Sequence, residues 1–101
     1  MKDLVIGYEL LDKGLKNYVI QKIFMTYKCL EITAKSKNNT KTVKLQFDGI
    51  EDIVLDKYDV NTVIPEIKLE KTADNMLQAK IEDSDDVEMK ILAKKLVVTR
   101  I

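Results

Sequence analysis

The feature that most constrains this chain is an alternation of apolar and polar residues at period two. Leu30, Ile32 and Ala34 alternate with Glu31, Thr33 and Lys35, and Val43, Leu45 and Phe47 alternate with Thr42, Lys44 and Gln46. Successive side chains of an extended backbone point to opposite faces, so the pattern specifies strands with one buried and one wet face. Between the two runs lies SKNNTK, whose Asn38-Asn39 pair tolerates positive φ and suits a tight connection. Residues 29–48 therefore read as strand, turn, strand. Upstream, YVIQKIFMTY (18–27) is β-branched and aromatic enough to form a preceding strand.

A second group of strands follows. Val63, Ile64, Ile67 and Leu69 surround Pro65, which cannot donate to a ladder and so places this segment at an edge or a bulge. Leu77, Ala79 and Ile81 alternate with Gln78, Lys80 and Glu82, and the chain ends in the β-prone LVVTRI. Two places carry helical signals. Leu11 and Leu15 within YELLDKGLK (8–16) stand four apart, although Gly14 weakens a helix there. Asp48-Gly49-Ile50-Glu51 has the form of a capping box, and Ile50, Ile53 and Val54 follow it as a helical stripe, so a short helix is expected over 50–57.

Residues 84–96 fit both periods. Asp85 and Glu88 suit a cap for a helix bearing Met89, Leu92, Ala93 and Leu96. As a strand, Val87, Met89, Ile91 and Ala93 form one face, and a bulge near Lys94-Lys95 returns Leu96 and Val98 to it. We favour the strand, which pairs with 76–82 across the DSDD turn. The expected fold is mainly β, on the α+β border: a single antiparallel, curved sheet of about six strands with one or two short helices.

At 101 residues, with 46% hydrophobic and 34% charged content, the chain is expected to form one domain over 1–101. Basic and acidic residues balance at 17 each, which removes any global attraction for nucleic acid or an anionic membrane. The balance is uneven along the chain. Residues 1–50 hold nine Lys against five acids, and residues 51–101 hold eight Lys plus Arg against twelve acids. The lone Cys29 excludes an intramolecular disulfide. Apolar runs are too short to span a bilayer, and MKDLVIGYELLDKG does not read as a signal peptide, so a cytoplasmic location is expected.

Catalytic chemistry finds little support. The chain has no His, the commonest general base near neutral pH and the commonest metal ligand. No phosphate-cradling glycine loop, nucleophile elbow or zincin motif occurs. Cys29 has no His to activate it and reads as a small strand residue. No enzyme activity, cofactor or metal is expected. Lys35, Lys37, Lys41 and Lys44 make one hairpin basic, yet its tip lacks the aromatic platforms of nucleic-acid modules, and a solvated hairpin explains it as well. The run EDSDDVEM (82–89) lacks the Gly and the ligand spacing of an EF-hand loop. Its acids read as a solvated connection and as a candidate contact surface for a basic partner.

In order, VKLQFDGIEDIVLDK, NTVIPEIKLEK and LQAKIEDSDDVEMKILAKKLVV form a pattern over about residues 29–101. It resembles small bacterial immunity-type proteins of polymorphic toxin and contact-dependent growth inhibition systems. In those proteins a similar strand, F-x-G-I segment, strand and acidic-turned terminal hairpin recur. The resemblance implies a non-enzymatic inhibitor that binds a cognate toxin domain, with no direct contact to nucleic acid or membrane. Where the toxin is a nuclease, an acidic surface imitates phosphate charge and speeds encounter. The contact residues it implies are Asp83, Asp85, Asp86 and Glu88, together with Glu51, Asp52 and Asp56. The competing reading is a small-ligand-binding or regulatory β domain, which an apolar pocket with convergent polar groups would favour. An oligomeric structural protein would instead show a large apolar patch or an unpaired edge at 63–69.

Overall fold

A computed structural model describes residues 4–10, 16–37, 40–56, 63–64, 66–82 and 88–101, and for Asp56, Glu82 and Glu88 the backbone alone. The alternating segments form strands as their pattern dictates. Tyr18–Thr26, Cys29–Ser36 and Thr42–Asp48 (β2, β3 and β4) form an antiparallel meander. Leu30, Ile32, Ala34, Val43, Leu45 and Phe47 are buried, and their polar neighbours in sequence face outward. On that outer face Lys44 Nζ lies 4.0 Å from Glu31.

The structure has two sheets where one was expected, with ten strands among the described residues. The further strands are Val5–Ile6 (β1), Asp52–Asp56 (β5), Val63–Ile64 (β6), Lys68–Lys71 (β7), Leu77–Glu82 (β8), Glu88–Ala93 (β9) and Lys95–Arg100 (β10). A strongly curled six-stranded sheet runs β1-β10-β4-β3-β2-β6, antiparallel except for the parallel pair β1 and β10. A four-stranded antiparallel sheet runs β5-β9-β8-β7. Side chains from both sheets join one core, which includes Tyr18, Ile20, Phe47, Leu77, Met89 and Ile91.

The helix expected over 50–57 is a strand instead. β4 pairs with β10 and β5 pairs with β9, so one antiparallel ladder continues from one sheet into the other. Asp48 is opposite Lys95 and Asp52 is opposite Leu92, which leaves residues 49–51 facing only residues 93–94. One extra residue on one strand is a β-bulge, and it bends the ladder into a corner. Gly49 adopts φ +66° there, and the Lys94 N–H donates to the carbonyls of Asp48 at 3.0 Å and Gly49 at 3.2 Å. Leu92 lends its carbonyl to Glu51 N–H at 2.8 Å. The capping-box residues thus build a bulge, because the ladder to β9 supplies hydrogen bonds that a short isolated helix could not match.

Residues 88–100 form strands, as favoured, and the face changes where a bulge was expected. Met89, Ile91 and Ala93 are buried in β9, Lys94 is exposed, and Leu96 and Val98 are buried in β10. β8 and β9 pair as a hairpin. The segment around Pro65 supplies an edge strand to each sheet, with β6 beside β2 and β7 beside β8. Of the N-terminal helical signal, a 3-10 turn spans Tyr8–Leu10, and residues 11–15 lie outside the described residues.

Candidate functional site: an open groove at the sheet corner

β2 runs on past the core. Tyr18 and Ile20 are buried, but after a register shift between Ile20 and Lys22 the strand emerges, and Phe24 and Met25 are 52% and 58% exposed. Tyr27, in the two-residue turn to β3, is 89% exposed. Lys28 follows with φ 57°, and its ammonium stands 5.8 Å from the centre of the Tyr27 ring. The Lys28 carbonyl accepts the Ile50 N–H at 3.1 Å. This bond ties the hairpin tip to the sheet corner.

Between them lies an open groove of about 450 Å³, with residues 25–28 on one side and residues 50–53 on the other. Met25, Ile50 and Ile53 make its floor apolar, and Glu51 and Asp52 bring exposed carboxylates to its rim. β5 ends its sheet, so its edge away from β9 has no strand partner among the described residues. The Ile53 N–H donates to Asp52 Oδ1 at 3.0 Å. A neighbouring carboxylate therefore covers an amide that a further strand would otherwise engage.

Of the acids singled out in the sequence, the structure brings Glu51 and Asp52 together at this groove. Asp56 is further along β5, roughly 13 Å from Asp52 at the rise of an extended chain. It is the register partner of Glu88, which is in turn the partner of Glu82. Three acidic positions thus stand abreast on adjacent strands. Asp83, Asp85 and Asp86 lie outside the described residues. Sequence reasoning missed Phe24, Met25 and Tyr27. Their signal was present, because Phe24 and Met25 are adjacent and break the period-two rule by offering apolar side chains to both faces.

Cys29, partly buried, donates its thiol proton to Asp48 Oδ1 at 3.5 Å, and Gln46 Nε2 donates to the same oxygen at 3.0 Å. Burial, and next the Asp48 carboxylate, raise the thiol pKa above its ordinary value. That is the opposite of what a nucleophilic thiol requires. Among the described residues no group of three or more His, Cys, Asp or Glu could hold a metal ion. Nor is any described helix long and apolar enough to cross a membrane. No known protein family, curated protein or solved structure matches the chain.

Proposed function

We propose that this chain is a non-enzymatic binding module of the immunity type, which binds a cognate toxin domain in the bacterial cytoplasm and neutralises it. The observation that carries this reading is the pair of exposed side chains Met25 and Tyr27 beside the carboxylates of Glu51 and Asp52. Aromatic side chains and Met are enriched in protein interfaces, where they desolvate cheaply and pack into pockets. A rim of acids steers such a surface toward a basic one, such as the substrate cleft of a nuclease. Asp56 and Glu88 add acidic positions at the paired ends of β5 and β9.

The test is co-expression with the product of the adjacent upstream gene and capture on the tagged chain. Capture and loss of toxicity are expected. The double variant M25S/Y27S is expected to weaken capture at least tenfold, as loss of a central apolar and aromatic anchor does. Failure to capture the neighbouring product defeats the proposal, and capture indifferent to charge-neutral replacements at 51, 52 and 83–88 defeats its acidic part. A small-ligand or regulatory domain is the second reading, favoured by a groove volume within the range of small-molecule sites.

A further inference from the structure

We infer that the groove receives one extended segment of the partner protein, added as a strand to the free edge of β5, with a lysine or arginine of that segment held by Glu51 and Asp52. This rests on the partner-binding reading above and specifies what the partner must present.

The argument begins with backbone groups. An edge strand offers N–H and C=O groups to any extended chain that can approach it. At β5 the approach is open among the described residues, because the groove runs beside the strand and its far wall is the hairpin tip rather than another strand. The edge strand β7, by contrast, carries three exposed charged residues, Lys68, Glu70 and Lys71, and charged side chains discourage pairing at an edge. A segment lying on β5 would place alternate side chains over Met25, Ile50 and Ile53, and the exposed Tyr27 ring could fold against them.

Asp52 selects the charge. In the free chain its carboxylate occupies the Ile53 N–H. An incoming strand carbonyl takes that N–H and frees the carboxylate at the rim, where a cation on the incoming segment can pair with it. Glu51 stands beside it, and neither acid has an ion partner among the described residues. Lys28, the cation on the opposite wall, is already placed against the Tyr27 ring. A lysine or arginine on the incoming segment satisfies both carboxylates, whereas an acidic residue would be repelled and would leave Asp52 on its amide. Asp52 thus holds the edge closed to chains that bring no positive charge.

The test uses the full chain labelled with ¹⁵N and a blocked peptide alternating valine, threonine and lysine as the probe. Its amide spectrum is expected to shift at Ile53, at Glu51 and along residues 25–28. A peptide with glutamate in place of lysine, and a lysine peptide methylated on its backbone nitrogens, are both expected to leave the spectrum unchanged. The variant E51Q/D52N is expected to bind the lysine peptide roughly fivefold more weakly, the scale of two exposed ion pairs. Four results overturn the inference: no shift with the lysine peptide up to about 1 mM, shifts elsewhere on the chain, equal binding of the glutamate peptide, or undiminished binding of the methylated one. Concentration-dependent shifts at Ile53 without peptide would make a second copy of this chain the occupant, and would overturn it too. The two proposals fail separately. Capture of the neighbouring gene product with Ile53 unshifted defeats strand addition alone, and peptide binding at Ile53 without that capture defeats the toxin reading alone.

Discussion

At Gly49 the backbone takes φ +66°, and Lys94 packs over the position that a side chain would fill. An added Cβ would stand 2.8 Å from Lys94 Cδ and 3.0 Å from Lys94 Cβ. G49A should therefore lose about 1–3 kcal/mol, read from urea unfolding. Pairing it with K94A should recover only part of that loss, because the positive φ remains strained for any L residue. Cys29 gives a second residue-scale expectation. Its folded pKa is raised, so the folded state keeps the thiol proton where the unfolded chain has begun to lose it. The associated stability is complete below the ordinary thiol value of about 8.5 and is lost as pH rises from there through the folded value. Alkylation of the native protein near that pH should be slower than for a free thiol, and C29S should flatten the alkaline fall in stability.

The hairpin β2–β3 separates what the core needs from what a partner needs. F47A, at a fully buried position, should cost about 3–5 kcal/mol. M25S/Y27S, at exposed ones, should cost much less, about 1 kcal/mol, and yet lose the partner. This element was legible in the sequence: period two marked β3 and β4, and β-branched content marked β2. The corner was not. Asp-Gly-Ile-Glu fits a capping box and a glycine bulge equally well, since Asp accepts local amides in both and Gly tolerates the right-handed backbone of the first and the left-handed backbone of the second. What decides between them is Leu92, some forty residues away in sequence, whose carbonyl takes the Glu51 N–H. Local pattern carries no record of that pairing. For the same reason Glu51 and Asp52 could be named as candidate contacts, while the groove that unites them with Met25 and Ile53 could not.

For the whole molecule, two sheets share one core and one continuous ladder, so neither has a separate interior to keep once the other is lost. Unfolding should be a single transition, with calorimetric and van't Hoff enthalpies equal. The division into two sheets was hidden from the sequence, because period two names a buried face without saying which opposite sheet covers it. The four strands of the smaller sheet all come from the second half of the chain, which also lends β6 and β10 to the larger one.

The corner also sets rules for how such a chain can change in length. At the 72–76 connection, Thr72 and Met76 close a turn at the rim of the smaller sheet, and Asn75 at φ 60° carries the reversal. Inserted residues there would lengthen a loop and disturb nothing behind it. Within 49–51, losing or gaining one residue changes the count against 93–94 and shifts every later pair of the β5–β9 ladder by one place. Ile53 and Leu55 would exchange faces with Asp52 and Val54, and the groove would lose its floor and its rim together. Divergent descendants of this chain should therefore vary freely in length at 72–76 and hold it fixed at 49–51, whatever side chains they carry there.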